Sequence, residues 1–333
     1  MRAIQITETG GPDVLRLAEL PDPAPGPGQL LVELAAAGVN YIDTYHRSGL
    51  YPMPLPFIPG SEGAGTVTAV GPDVNDVAVG AKVAWAGSPG SYAEIAVVSA
   101  NQAVPVPQGV DIEIAAGCLL QGMTAHYLAV SVHAVQSGET VLVHAAAGGM
   151  GLLLTQLATA RGGRVIGTVS TPEKERLARE AGVAEVIRYT EVDDVAAEVR
   201  RLTGGEGVAV VYDGVGASTF DASLASLRRR GMLALFGAAS GPVPPVVPQR
   251  LNSAGSVFLT RPKLADYVAT REELTWRAGE VFDAILDGSL RITIGGRYPL
   301  AEAGRAHQDL QGRRTTGKLL LLPVDAGAAG AAQ

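Results

Sequence analysis

Cysteine is nearly absent from this chain. Among 333 residues there is one cysteine, Cys118, and there are five histidines. A single cysteine cannot form an intrachain disulfide, and it excludes a zinc cluster built from several cysteine ligands. Because disulfides are rare in reducing compartments, this composition leads us to expect a cytoplasmic protein.

Long apolar runs and clusters of basic residues are also missing. No apolar run approaches the about 18 residues of an ordinary membrane span, and residues 1–6 lack the apolar core of a secretory signal. Lys and Arg number 26 and Asp and Glu 33, which gives a net charge of −7. The one basic run, residues 228–230, is interpreted as the solvated end of a helix. Because phosphate backbones bind clustered Lys and Arg, we expect neither a nucleic-acid partner nor a membrane partner.

Two sequence patterns divide the chain and predict an α/β protein with two domains. Residues 1–120 carry prolines and glycines between short alternating apolar runs, which is typical of a mostly β domain. From residue 141, strands alternate with helices, which is typical of a doubly wound parallel sheet. Its candidate strands are residues 141–144, 164–169, 185–187, 208–212, 232–236 and 257–260. Six strands complete such a sheet, so the predicted domains are 1–121 with 262–333, and 122–261. The Ala- and Gly-rich end, residues 325–333, is predicted to be disordered.

A glycine-rich turn at residues 141–151 predicts a phosphate site. An apolar strand runs into the turn, and an apolar helix follows it directly. The free N–H groups of a first helical turn and the positive end of the helix dipole favour a pyrophosphate. Aligned to the dinucleotide fingerprint G-x-G-x-x-G, the turn has Ala146, Gly148 and Gly151 at the glycine positions, so its first position departs from the pattern. The strand that follows lies within βαβ distance, which favours a dinucleotide site over a plain structural turn.

The second strand of this βαβ segment ends without an acidic residue, which bears on whether the cofactor is NADPH or NADH. In NAD-binding proteins of this fold, an acidic residue about 20 positions after the glycines binds the adenine ribose 2′-hydroxyl. Here the strand ends at Ser170, with Lys174 and Tyr189 in reach of the adenosine. A small hydroxyl residue admits a 2′-phosphate and a lysine attracts it. We therefore expect NADPH, with NADH as the alternative because Glu173 and Glu175 weaken the local positive field.

Several ordered motifs resemble one family. Residues 38–51, 59–65, 139–151 with their A-x-x-G-G-x-G turn, 260–262 and 316–320 resemble the zinc-independent, zeta-crystallin-like NADPH:quinone oxidoreductases of the medium-chain dehydrogenase/reductase superfamily. The resemblance covers nearly the whole chain. It implies a mostly β GroES-like catalytic domain, a doubly wound Rossmann domain with a six-stranded parallel sheet, and a homodimer paired through the sixth strand.

The resemblance also implies chemistry without a metal. Zinc-dependent relatives have a cysteine ligand where Asn40 stands, a His-Glu pair where Ser61 and Glu62 stand, and a four-cysteine lobe after the strand near Trp85. With these positions vacated, we expect no metal site. A plain alcohol needs a metal or strong base, whereas a quinone or an α,β-unsaturated carbonyl is already electrophilic. The expected activity is hydride transfer from NADPH to a quinone.

The resemblance assigns site residues on two sides. The acceptor side is expected to comprise Asn40, Tyr45, Tyr51 and Arg261, with Tyr45 or Tyr51, or else water, as the proton donor. The cofactor side is expected to comprise Asn40, Thr124, Ala147, Gly148, Gly149, Met150, Gly151, Ser170, Lys174, Tyr189, Gly214, Phe236 and Gly237. Judged alone, each tyrosine could be an ordinary loop residue and Asn40 a turn or cap residue.

Two other functions stay open from the sequence. An NADPH-dependent reductase of enone or alkenal double bonds would use the same residues. An NADPH-binding structural or regulatory protein would keep the nucleotide site without turnover. All three interpretations predict a small-molecule partner.

Overall fold

The structure is a computed structural model in which residues 1–323 are described, so the predicted disordered end at residues 325–333 lies outside the described part. The chain divides into two compact units. The first comprises Met1–Met123, Val268–Gly288 and residues 292–323, and the second comprises Thr124–Tyr267 with Ser289–Arg291. The domain boundaries predicted from the sequence stay a prediction.

The strands and helices of the described residues are numbered in chain order. The strands are β1 Arg2–Gln5, β2 Arg16–Glu19, β3 Gln29–Val39, β4 Glu62–Val70, β5 Lys82–Ala86, β6 Ile95–Ser99, β7 Val104–Pro105, β8 Thr140–Val143, β9 Arg164–Val169, β10 Glu185–Arg188, β11 Val208–Asp213, β12 Leu227–Leu235, β13 Phe258–Thr260, β14 Ile294–Pro299 and β15 Lys318–Leu322. The helices are α1 Tyr41–Ser48, α2 Ile112–Tyr127, α3 Gly149–Ala160, α4 Pro172–Glu180, α5 Val195–Leu202, α6 Phe220–Ser226, α7 Gln249–Ser253, α8 Arg271–Leu286 and α9 Ala303–Gln311.

The first unit is built around a mainly antiparallel sheet, which agrees with the mostly β domain predicted from the sequence. Strands β14, β15, β3, β4, β5 and β7 lie side by side in that order, and β6 also pairs with β3. Alternating residues in the first half of β3, together with Val67 of β4, face a core that includes the fully buried rings of Trp85 and Tyr92. The long strand β3 ends at Val39, so α1 begins directly beside the strand ends of this sheet.

The second unit contains a six-stranded, entirely parallel sheet, and this confirms the predicted doubly wound fold. Its strand order is β10-β9-β8-β11-β12-β13. From β8 the chain winds toward β9 and β10, and from β11 it winds toward β12 and β13. The order therefore reverses between β8 and β11, and ligands of such sheets bind outside the carboxyl ends of the strands at this point.

One local prediction is wrong. Residues 228–230 do not end a helix but form the irregular start of β12. Pairing with β11 jumps from Val208–Leu227 to Val210–Met232, and the intervening Arg230 takes a left-handed φ of 57°. Buried parallel strands are formed by apolar residues, so three successive arginines lie in a bulge outside the regular pairing.

Helix length bears on the question of membrane spans. Among residues 1–323, no helix is both long enough and apolar enough to cross a bilayer.

Candidate active site

The glycine-rich turn of the second unit connects β8 to α3. Ala145 adopts a left-handed φ of 51°, and the turn is closed by Gly148 N donating to Ala145 O at 2.8 Å. Gly148 is the N-terminal cap of α3 and has no side chain with which to cap the helix. The N–H groups of Gly149, Met150 and Gly151 belong to the first helical turn, which has no intrahelical acceptors. The turn is therefore a set of backbone donors at the positive end of a helix dipole.

Close packing explains both the glycine and the alanine of the fingerprint. A Cβ at Gly151 would overlap the carbonyl oxygen of Ala145 and the Cα of Ala146, so only glycine lets α3 approach β8. Ala146 stands at the first glycine position, and its methyl group is fully buried against β9. The methyl fits because the facing residue is Gly167, where a Cβ would come within 2.8 Å of it.

The residues predicted for the 2′-phosphate side lie together. Ser170 follows β9 and Tyr189 follows β10, and these strands are parallel neighbours with Val169 opposite Arg188. Lys174 is in the first turn of α4, which begins after the same strand end. Glu175 weakens the positive field near Lys174 less than the sequence suggests, because its carboxylate lies 2.9 Å from Arg179 and 3.3 Å from Arg188.

Three of the remaining predicted nucleotide residues occupy the same edge of the sheet. Gly214 follows β11, and Phe236 and Gly237 follow β12. Phe236 N donates to Asp213 O at 2.9 Å, and a Cβ at Gly214 would meet the Phe236 ring at 2.8 Å. Arg261 follows β13 at this edge, and Thr124 lies in α2 at the start of the second unit.

In the first unit, Asn40 belongs to a buried charged cluster that the sequence analysis missed. The ammonium nitrogen of Lys318 lies 2.8 Å from Asn40 Oδ1 and 2.5 Å from Glu62 Oε2. Asn40 Nδ2 donates to Glu62 Oε2 at 3.0 Å, and Leu120 N donates to Glu62 Oε1 at 2.7 Å. Lys318 is 1% exposed and Glu62 is fully buried. A reversed carboxamide would place its NH₂ against the ammonium and its oxygen against the carboxylate, so the cluster fixes the orientation of Asn40.

A second buried network holds the start of α1. Asp43 accepts hydrogen bonds from Asn40 N at 2.8 Å, Ser61 Oγ at 2.8 Å and the Tyr92 hydroxyl at 3.0 Å. Burial raises the pKa of Asp43 from 3.8 to about 6, although these three hydrogen bonds act in the opposite direction. The carboxyl group thus ties α1 to the sheet behind it.

His307 continues this network from α9. Its Nδ1 lies 3.2 Å from Arg47 Nη1 and its Nε2 lies 3.0 Å from the Tyr92 hydroxyl. A guanidinium can only donate, so Nδ1 accepts, Nε2 carries the proton and donates to Tyr92, and Tyr92 donates to Asp43. Burial and the nearby Arg47 lower the pKa of His307 to about 3, which agrees with a neutral ring.

Tyr45 and Tyr51 lie against each other at the exposed end of α1. Their ring centroids are 5.3 Å apart in an edge-to-face arrangement, and Tyr51 N donates to Tyr45 O at 3.1 Å. The helix stops at Gly49, which has a left-handed φ of 80° and lets the chain fold back. The first unit therefore brings these two predicted residues together at the C-terminal end of the helix that begins after Asn40.

Metal ligands are not grouped in the described residues. Across residues 1–323, no three His, Cys, Asp or Glu side chains are placed to hold a metal ion. At the positions where zinc-dependent relatives have ligands, Asn40 and Glu62 contact Lys318, and Ser61 donates to Asp43.

The two units together define the architecture of a medium-chain dehydrogenase/reductase, and comparison with known proteins agrees. A family model described as alcohol dehydrogenase GroES-like domain matches residues 26–108, and one described as zinc-binding dehydrogenase matches residues 149–277. The second match lies outside the positions of Asn40, Ser61 and Glu62, so it bears on the nucleotide fold and not on metal ligands.

Individual relatives resemble the chain over nearly its whole length. A quinone oxidoreductase of Pseudomonas aeruginosa is 48% identical over 324 residues, 97% of this chain and 99% of its own. A 2-haloacrylate reductase of a Burkholderia species is 43% identical over 330 residues, 96% of this chain and 98% of its own. A solved mycobacterial structure complexed with NADPH has 58% identity and a TM-score of 0.94, with coverage of 97% and 100%. The chain belongs to the quinone oxidoreductase family.

Proposed function

We propose that this chain is an NADPH:quinone oxidoreductase that transfers a hydride without a metal ion. The observation that carries the proposal is the 48% identity, over 97% of the chain, to a protein named as a quinone oxidoreductase. The 58% identical mycobacterial structure in complex with NADPH supports the cofactor.

The residues of the second unit suit NADPH. When bound, NADPH supplies a hydride from C4 of its nicotinamide ring. Residues 147–151 would face the pyrophosphate, with the N–H groups of Gly149, Met150 and Gly151 as its donors. Ser170, Lys174 and Tyr189 would receive the adenosine 2′-phosphate side. No carboxylate stands at Ser170 to repel the 2′-phosphate. The remaining contacts with the cofactor are assigned to Gly214, Phe236, Gly237 and Thr124.

The acceptor side rests on α1. Tyr45 or Tyr51 donates a hydrogen bond or proton to the developing oxyanion, with water as the alternative donor, and Arg261 supplies positive charge. Lys318 donates to Asn40 Oδ1, and Glu62 accepts from Asn40 Nδ2, so the carboxamide of Asn40 is held in one orientation. Asn40 would lie beside the nicotinamide of bound NADPH.

The experiment is to follow NADPH and NADH oxidation with a benzoquinone, with and without a chelator. We expect turnover with NADPH, weaker turnover with NADH and no effect of chelation. Activity lost on chelation would contradict the metal-free mechanism, and equal use of NADH would contradict the assignment of Ser170 and Lys174. Tight NADPH binding without turnover of any acceptor would favour a structural or regulatory protein.

Reduction of an activated double bond is the second candidate activity. It is favoured by the 43% identity to a 2-haloacrylate reductase, whose name specifies a conjugated carboxylate. The same assay with an enone and with 2-chloroacrylate separates the two activities. A higher kcat/KM for either alkene than for benzoquinone would make this candidate the principal one.

The edge strand β13 would pair with its counterpart in a second copy of the chain to form a homodimer. Separately, the single cysteine agrees with a protein of the reducing cytoplasm. Phe258 of β13 is 59% exposed although it lies in a strand, and an unpaired strand edge readily pairs with another. We expect Phe258→Lys to convert a dimer into a monomer in sedimentation, with Val247→Lys as a control at another exposed apolar position. A monomeric parent protein would contradict the assignment.

A further inference from the structure

A chain of buried polar side chains lies beneath the glycine-rich turn. His144 follows β8, Thr168 lies near the end of β9, Asp213 ends β11 and Ser223 is in α6. All four are buried, with His144 the most exposed at 5%. They lie at or beside the carboxyl ends of three neighbouring strands, where the winding of the sheet reverses.

We propose that His144 is a positioning residue for NADPH, which acts with Thr168, Ser223 and Asp213 to hold the turn in the form that presents its N–H groups to the pyrophosphate. The proposal rests on the proposed function only in its choice of cofactor, because none of the four residues is assigned to the acceptor.

The direction of each hydrogen bond follows from the Asp213 carboxylate. Ser223 Oγ donates to Asp213 Oδ2 at 2.7 Å, so its oxygen accepts from His144 Nε2 at 2.9 Å. A neutral imidazole then has an unprotonated Nδ1, which accepts from Thr168 Oγ1 at 3.1 Å. Burial lowers the pKa of His144, which agrees with the neutral ring.

The chain of hydrogen bonds ends at the first residue of the turn. Thr168 Oγ1, whose proton is directed at His144, accepts from Ala145 N at 3.2 Å, and Thr168 O accepts from Ala146 N at 3.0 Å. Ala145 has a left-handed φ of 51°, which is unfavourable for a residue other than glycine and needs support. The network supplies that support from both the side chain and the backbone of Thr168.

A purely structural role would not require this pattern. Asp213 already accepts from Val215 N, Gly216 N and the Thr219 hydroxyl, so the end of β11 is held without His144. What His144 adds is a fixed hydroxyl rotamer at Thr168, and that hydroxyl contacts the turn directly. The effect of the network should therefore be seen in nucleotide affinity.

The test compares near-isosteric variants for NADPH binding. Thr168→Val removes the hydroxyl and keeps the shape, Thr168→Ser keeps the hydroxyl, and Ser223→Ala breaks the chain at its far end. The matched control is Ser226→Ala, because Ser226 is a fully buried serine of the same helix whose hydroxyl donates to Ala222 O. The measurements are the NADPH dissociation constant by calorimetry, the KM values for NADPH and benzoquinone, kcat, and Tm.

We expect Thr168→Val and Ser223→Ala to raise the NADPH dissociation constant and KM by about fivefold to tenfold, the range that one positioning hydrogen bond supports. The kcat and the benzoquinone KM stay within about twofold, and Thr168→Ser and Ser226→Ala bind like the parent. Folded Thr168→Val or Ser223→Ala with an unchanged dissociation constant, even at lower Tm, would overturn the proposal. A parent protein that binds NADPH but does not reduce quinone would instead contradict the proposed function alone.

Discussion

Removing the ammonium of Lys318 should destabilise the first unit strongly. The change Lys318→Met keeps an unbranched side chain of similar length but leaves Glu62 fully buried, with Asn40 Nδ2 and Leu120 N as its remaining donors in residues 1–323. Removing one partner of a buried ion pair typically costs about 3–5 kcal/mol, because the other charge is left without compensation. With 1% exposure of Lys318, solvent cannot replace the lost partner. We expect the upper part of this range.

The double variant Lys318→Met with Glu62→Gln separates lost charge from lost packing. Both charges are then gone, and the amide that replaces the carboxylate can still accept from Leu120 N, so we expect the double variant to regain roughly 2 kcal/mol or more of the loss. The assay is the free energy of unfolding by urea at neutral pH. Lys82→Met is the control, since Lys82 is an exposed lysine that also begins a strand of this sheet, and it should change stability by about 0.5 kcal/mol or less. A loss below about 1 kcal/mol for Lys318→Met, or a double variant no better than the single, would refute the reasoning.

Three further changes test other parts of the structure. Burial raises the pKa of Asp43 from 3.8 to about 6, so its stabilising contribution is complete below pH 3.8 and is lost as the pH rises to about 6. The unfolding free energy of the parent minus that of Asp43→Asn should fall by roughly 3 kcal/mol across this window. Thr155 has a buried hydroxyl without a hydrogen-bond partner in the described residues, so Thr155→Val should raise stability by about 1 kcal/mol in urea unfolding. Gly151→Ala should weaken NADPH binding by about tenfold or more in calorimetry, because its Cβ would overlap the backbone of Ala145 and Ala146.

Each of these three predictions would be contradicted by a specific result. A flat difference profile between the ordinary pKa of 3.8 and the raised pKa of about 6, at constant ionic strength, would show that Asp43 ionises as it does in water. Destabilisation by Thr155→Val would indicate that the hydroxyl is hydrogen-bonded in solution. Gly148→Ala is the comparison for Gly151→Ala, because a Cβ there meets only Ala145 O at 3.2 Å. Equal losses of NADPH affinity in both would contradict the packing argument.

The architecture and the nucleotide turn could be predicted from the sequence because their signals are local. Alternation of apolar residues indicates strands, and the change from short β runs to alternating strands and helices marks the second unit. The glycine-rich turn has small residues at positions 146, 148 and 151 within one βαβ segment. The same locality allowed Ser170 and Lys174 to be assigned to one edge of the sheet. It failed for residues 228–230, where a run of arginines is compatible with a helix end until the pairing of β11 with β12 places it in a bulge.

Only the tertiary structure decided what surrounds the assigned residues. Lys318 and Glu62 are 256 positions apart, and Tyr92 and His307 are 215 apart, so no spacing along the chain relates them. The sequence marks Asn40 as a vacated ligand position, but its carboxamide is oriented by a buried charge pair that forms only when β15 pairs with β3. His144 likewise acquires its tautomer from Ser223, which reaches it from a helix 79 positions further along the chain. Such groups are defined by burial and by their partners, because removal from water makes a polar side chain depend on the few donors and acceptors that the fold places beside it.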